Sequence, residues 1–231
     1  HVAREAARQG RRVVAVGLSG WVDPSLRSHV DVYEELSIGQ LGELVRRLRA
    51  HAVTEAVMAG KVTKGVLLDP SVAFDADAVG VIGRVKEFSV NALLGAIAQY
   101  LAEQGVRLLD SSTFLRDDLC PAGPITARAP SSEEQGDIDV GVRVARALAQ
   151  VDVGQSVVVR RTVVIAVEAL EGTDAMLRRA GQVGGAGGVL VKMASPSQDR
   201  RFDLPVLGPQ TVAVAREAGV RCLAVEAGST L

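Results

Sequence analysis

Val163-Val164-Ile165-Ala166-Val167-Glu168-Ala169-Leu170-Glu171-Gly172-Thr173-Asp174-Ala175-Met176-Leu177-Arg178-Arg179-Ala180-Gly181 decides how this chain is read. Its first five residues form an unbroken, mostly β-branched apolar run, the pattern of a strand buried on both faces, and the run stops where carboxylates begin. Met176, Leu177 and Ala180 share a helical face, so a helix follows, with Thr173 or Asp174 as the expected N-cap. Glu168, Glu171 and Asp174 then gather at a strand-to-helix turn. A helix N-terminus offers N–H groups to an anion and carboxylates suit a hard cation, so this corner can hold a phosphate together with Mg2+ or Mn2+. The same acids also stabilise a helix start without any ligand, by about 1 kcal/mol each.

Two later segments extend the pattern. Gly187-Gly188-Val189-Leu190-Val191-Lys192-Met193-Ala194 is an apolar run ending at a lysine, and Cys222-Leu223-Ala224-Val225-Glu226-Ala227-Gly228 repeats the Ala-Val-Glu-Ala of residues 166–169. Three expected strands therefore end in Glu168, Lys192 and Glu226. Open α/β sheets bind ligands at such ends.

Working outward, Val157-Val158-Val159 and Val163–Val167 are expected to pair as a hairpin, after a helix from Asp137 to Ala149. The region 119–136 is rich in turn formers (Cys120-Pro121-Ala122-Gly123-Pro124, Ala129-Pro130-Ser131-Ser132) and reads as a linker. Before it, helix patterns at 2–9, 38–50 and 90–104 alternate with strand patterns at 12–18, 56–60 and 106–110. That alternation points to βαβ units. The fold class expected is α/β: a Rossmann-like domain at 1–118, whose opening strand is absent, and a second α/β domain with a mixed sheet at 137–231, with a ligand cleft between them. The chain opens inside a helix pattern and stops abruptly at Leu231, so it reads as a fragment of a longer protein.

Composition narrows the classes. The 231 residues are 48% apolar with mean hydropathy +0.21, ample for two cores. A net charge of −1 with dispersed basic residues gives no footprint for nucleic acid, and 3% aromatics supply no stacking platform. No run approaches the roughly 18 apolar residues of a membrane span. Cys120 and Cys222 lack metal-ligand spacing and read as reduced thiols of a cytoplasmic protein.

Candidate chemistry lies in three further places. Gly60-Lys61-Val62-Thr63-Lys64 follows a strand and fits a phosphate or diphosphate contact, although a solvated loop is the favoured reading from these residues alone; no P-loop or G-x-G-x-x-G is present. Gly184-Gly185-Ala186-Gly187-Gly188 precedes a strand and reads as a flexible turn. Arg200-Arg201-Phe202-Asp203-Leu204-Pro205 holds an aspartate between arginines and prolines, suited to a metal ligand or to positioning water, or else to capping the helix from Gln210, a role for which Thr211 competes. His29 and His51 have no evident partners, and no seryl nucleophile motif exists.

Gly136-Asp137-Ile138, Asp152-Val153-Gly154-Gln155, Ala166-Val167-Glu168-Ala169, Glu171-Gly172-Thr173-Asp174-Ala175-Met176-Leu177, Gly188-Val189-Leu190-Val191-Lys192, Gln198-Asp199-Arg200-Arg201-Phe202-Asp203-Leu204-Pro205 and Ala224-Val225-Glu226-Ala227-Gly228, in this order, resemble the LpxI family of UDP-2,3-diacylglucosamine pyrophosphatases. Ala59-Gly60-Lys61-Val62 fits as well. The resemblance implies an opening strand and glycine-rich loop, absent from 1–118 here, and family members commonly carry Gly-Asp-Asp before Ala-Leu-Leu, where this chain has Ser89-Val90-Asn91. The resemblance implies hydrolysis of UDP-2,3-diacylglucosamine to 2,3-diacylglucosamine 1-phosphate (lipid X) and UMP in lipid A biosynthesis. Diphosphate hydrolysis needs neutralised phosphate oxygens and an oriented water. Asp203, Lys192 and Asp174 are the expected catalytic residues; Asp203, Glu168, Glu171 and Asp174 the ligands of Mg2+ or Mn2+; Gly60, Lys61, Gly172, Thr173, Gln198 and Arg201 the substrate contacts. The expected setting is cytoplasmic, with transient contact to the inner membrane surface and a homodimer. A non-catalytic nucleotide-sugar-lipid binding protein of the same fold is the alternative.

Overall fold

The computed structural model describes residues 1–60, 72–85, 90–151, 153–194, 199–202 and 204–231. Its contacts divide the chain into two compact units, His1–Arg116 with Asp199–Asp203, and Asp117–Gln198 with Leu204–Leu231. Both are α/β.

The first unit contains α1 (Val2–Arg8), β1 (Val14–Leu18), β2 (Val32–Leu36), α2 (Leu41–Ala50), β3 (Glu55–Ala56), α3 (Ala76–Ile82), α4 (Val90–Glu103) and β4 (Arg107–Leu108). Among the described residues β1 pairs with β2 and β3 with β4, both in parallel. Leu41, Val45 and Leu48 fall on one face of α2 and join Val81, Leu101, Val106 and Leu108 in a single core. The helix expected from residue 38 starts at Leu41 because Gln40 is the N-cap. His51, expected without a partner, has one: its Nε2 lies 3.0 Å from the Glu34 carboxylate.

The second unit contains α5 (Ser132–Gln150), β5 (Ser156–Arg160), β6 (Val163–Val167), α6 (Thr173–Gly184), β7 (Val189–Lys192), α7 (Pro209–Glu217) and β8 (Cys222–Val225). α5 starts at Ser132, not Asp137. Ser131 and Glu134 form a reciprocal capping box there, satisfying two backbone donors. Arg128 also binds Glu134, whose carboxyl is pulled down to about 2 by that guanidinium and the Ser131 N–H.

The sheet order is β6-β5-β7-β8. β5 is antiparallel to both β6 and β7, and β8 is parallel to β7, so the sheet is mixed and β6, β7 and β8 all point the same way. This overturns one expectation. β6 is an edge strand, with Val163 59% and Val164 38% exposed, while β5 and β7 are the strands buried on both faces. An apolar run shows that a strand packs somewhere, not that it is central.

Side chains alternate across the sheet. Val157, Val159, Val189 and Val191 pack under α5, whereas Val158, Ala166 and Leu190 pack under α6 and α7. The β5–β6 turn places Arg161 and Thr162 at positive φ, and the buried Asp137 carboxylate accepts both of their N–H groups. The glycine-dense segment before β7 is packed, contrary to the flexible turn expected. Gly187 N–H donates to Gly219 at 2.8 Å, Arg160 binds the Gly184 carbonyl, and a Cβ on Gly184 would meet the Ile165 side chain at 2.6 Å.

Candidate functional site

The register sets the site. Ser156 pairs with Lys192, Lys192 with Val225, and Glu168 N–H donates to the Ser156 carbonyl at 2.9 Å, so Glu168, Ser156 and Lys192 form one row at the edge where β6 and β7 end. Their parity puts them on the α6/α7 face, level with the starts of those helices. All three are buried: Ser156 0%, Lys192 7% and Glu168 9% exposed.

Thr173 links them. Its hydroxyl donates to Glu168 Oε1 at 2.8 Å and accepts from Lys192 Nζ at 3.3 Å, with Ser156 Oγ at 3.4 Å. Lys192 Nζ also donates to the Val206 carbonyl at 3.1 Å, and Gln155 N–H reaches Glu168 Oε2 at 3.4 Å. A buried ammonium and a buried carboxylate thus balance each other through one hydroxyl. Burying either charge alone would be costly.

Thr173 is the first residue of α6, and the N-cap is Gly172, not Thr173 or Asp174. Gly172 has φ 80°, a turn that a side chain would strain, and the turn frees the Thr173 hydroxyl to face Glu168 and leaves α6 without a side-chain cap. Helix α7 begins close by and also lacks a side-chain cap. Thr211 does not cap it; its hydroxyl donates to Asp174 at 2.9 Å and ties the two first turns together. Lys192 therefore stands between two helix starts, an arrangement that favours anions.

Glu171 is turned elsewhere. Arg179 binds it at 2.6 Å and holds its carboxyl below the ordinary glutamate range. Among the described residues no group of three His, Cys, Asp or Glu is arranged to hold a metal ion. Glu168, Glu171 and Asp174 each serve a different partner, and by themselves they do not fit a cation cage.

The other expected site residues separate. Gly60 is present with φ 102°, while Lys61, Gln198 and Asp203 lie outside the described residues. Arg201 grips Asp199 and stacks over Phe202 at 5.1 Å, and Arg200 binds Asp110 at 3.1 Å, so the arginines expected to flank Asp203 have other carboxylates as partners. Glu226, expected at a strand end, accepts the Ala194 N–H on its carboxylate at 3.0 Å, and two contributors escaped the sequence reading, Ser156 and Gly154. A Cβ on Gly154 would lie 2.2 Å from the Glu168 carbonyl oxygen, so only glycine lets the chain pass there and deliver Gln155 N–H. The Gly154-Gln155 pair was a visible signal; its target was not.

Comparison with known proteins places the chain in a family. Residues 1–118 match the LpxI N-terminal domain and residues 121–231 the LpxI C-terminal domain. The chain belongs to the LpxI family. It is 30% identical, over 100% of its own length and 85% of the relative's, to UDP-2,3-diacylglucosamine pyrophosphatase LpxI of Caulobacter vibrioides. No helix among the described residues is long and apolar enough to cross a membrane.

Proposed function

We propose that this LpxI-family enzyme hydrolyses the diphosphate of UDP-2,3-diacylglucosamine to 2,3-diacylglucosamine 1-phosphate and UMP, in lipid A biosynthesis. The observation that carries the reading is Lys192, an ammonium group buried between the starts of α6 and α7 in a chain aligned end to end with a pyrophosphatase. A diphosphate presents the charge such a corner receives.

In this reading Lys192 and the first N–H groups of α6 take the non-bridging oxygens. The Glu168–Thr173 pair keeps the ammonium aimed, and Asp203 orients the attacking water. Water adds to the α-phosphorus and the bridging P–O bond breaks, its electron pair leaving with the sugar 1-phosphate. One proton from the water is lost, and UMP carries the new oxygen.

Lys61, Gln198 and Arg201 are proposed as substrate contacts on sequence grounds. Dependence on Mg2+ or Mn2+ is part of the proposal through Asp203 and the resemblance, and no step is routed through the ion. The setting proposed is the cytoplasm, with passing contact to the inner membrane surface where an acylated substrate resides, and a homodimer.

The test is UMP release from UDP-2,3-diacylglucosamine in heavy-oxygen water, with and without added Mg2+ or Mn2+ after chelation. Label in UMP is expected. Label in the sugar phosphate would refute attack at the α-phosphorus, no release at all would refute the activity, and full activity in chelator would refute the metal.

A further inference from the structure

Lys192 Nζ donates to the Val206 carbonyl at 3.1 Å, and the chain at Val206 is gripped from the opposite side. Leu231 N–H donates to the Pro205 carbonyl at 2.9 Å, and the Leu231 carbonyl accepts the Leu207 N–H at 2.8 Å. These are the two bonds that one residue makes in a parallel ladder, with Leu231 standing opposite Val206. Main-chain groups alternate in direction along such a stretch. While the Pro205 carbonyl and the Leu207 N–H face Leu231, the Val206 carbonyl faces away from it, toward Lys192. Both flanks are anchored: Pro205 is fully buried and Leu207 packs against the core under α6 and α7, whereas the Val206 side chain is exposed. Residues 228–230 are pinned in turn, since Cys120 N–H donates to the carbonyl of the buried Thr230 at 2.8 Å and Gly228 N–H donates to the Cys120 carbonyl at 2.9 Å. All of these residues belong to the second unit.

We infer that Leu231 is a positioning residue for the hydrolysis, its main chain aiming the Val206 carbonyl at the Lys192 ammonium group. The inference rests on the role proposed for Lys192 above. Leu231 contacts no substrate in this scheme; it fixes an acceptor for the group that does. A lysine ammonium is a compact charge with rotatable donors on a flexible stem, so it keeps one place when its acceptors are themselves held. The Thr173 hydroxyl is one such acceptor and the Val206 carbonyl another. Rate depends steeply on this placement, because a shift of about 1 Å from a distant change can cost on the order of a hundredfold. The acceptor is a main-chain oxygen, so it is disturbed through the pair of bonds at Leu231 and not by a side-chain change at Val206.

The experiment measures kcat and KM for UMP release with Leu231→Pro, Leu231→Gly and Leu231→Ala, on protein shown by circular dichroism to be folded at the assay temperature. Proline removes the N–H that holds the Pro205 carbonyl and should lower kcat about tenfold with KM within about twofold. Alanine, which keeps both main-chain bonds, should recover most of that loss, and glycine, which keeps the N–H but loosens the backbone, should fall between them. In a Lys192→Met background, Leu231→Pro should cost nothing further, since the group it positions is gone. An unchanged kcat in both the proline and glycine variants, a loss confined to KM, an alanine variant as slow as the other two, or the same fold loss in both backgrounds overturns the inference. Should the proline variant not fold, the order of glycine below alanine decides by the same rule. Wild-type protein that releases no UMP, or Lys192→Met with full turnover, overturns the proposed function first and separates that failure from this one.

Discussion

Glu168 and Glu171 stand three residues apart in one turn, and the fold treats them oppositely. Glu168 is buried, receives the Thr173 hydroxyl and the Gln155 N–H, and balances Lys192 across that hydroxyl. Glu171 stands at the outer side of the turn beside Leu170, which is 85% exposed, and is engaged by Arg179. Identical side chains thus do different work because one sits where the sheet and two helix starts exclude water. Burial turns a weak charge interaction into one that fixes geometry.

The sharpest way to break this contrast is Lys192→Met, which removes the cation of the inner side. Turnover should fall on the order of a thousandfold, the scale of losing a principal charge-stabilising donor. Near-normal UMP release would show that the buried corner is not the phosphate site.

Thr173→Val tests the link between the charges. It should lower kcat on the order of tenfold to a hundredfold, with Thr173→Ser close to wild type, because the hydroxyl and not the methyl bridges Glu168 and Lys192. Equal activity in the valine and serine variants would show that the bridge is idle.

Gly154→Ala presses a methyl group onto the Glu168 carbonyl and should cost about 1–3 kcal/mol in denaturant unfolding. Unchanged stability would mean that the chain beside Glu168 yields easily and that the inner side is less rigid than its contacts imply.

The outer side should respond least. Glu171→Gln should leave UMP release within about twofold and stability within about 1 kcal/mol, as for an exposed ion pair. Because Arg179 lowers the Glu171 carboxyl in the folded protein, the pair adds stability above the ordinary glutamate range and loses it as pH falls through the lowered value. Thermal melts below about pH 4.5 should therefore separate wild type from Glu171→Gln less than melts at pH 7 do. A collapse of activity in this variant would place Glu171 in the reaction and erase the contrast.

Much of this was legible in the residues. Valine-rich runs marked β5, β6 and β7, the spacing of Met176, Leu177 and Ala180 gave α6, and Glu168 and Lys192 stood at strand ends where ligands bind. Ser131 and Glu134 even carried the spacing of a capping box, hidden because the surrounding prolines and glycines favoured a linker. Other readings failed for a common reason. Thr173 and Asp174 both have the chemistry of an N-cap, but each found another partner, Thr173 the nearby Glu168 together with the distant Lys192, and Asp174 the distant Thr211.

What the sequence determined by itself is what depends on near neighbours: the periods of helices and strands, the end of each apolar run, and the family motifs in their order. Tertiary structure alone decided that β6 is an edge strand, that β5 also pairs antiparallel with β7 so that Glu168 and Lys192 finish at one edge, and that residues 199–202 pack with the first unit. Strand order and hydrogen-bond partners join residues far apart in the chain. Their energies depend on which surfaces meet and exclude water, and no local pattern of residues contains that information.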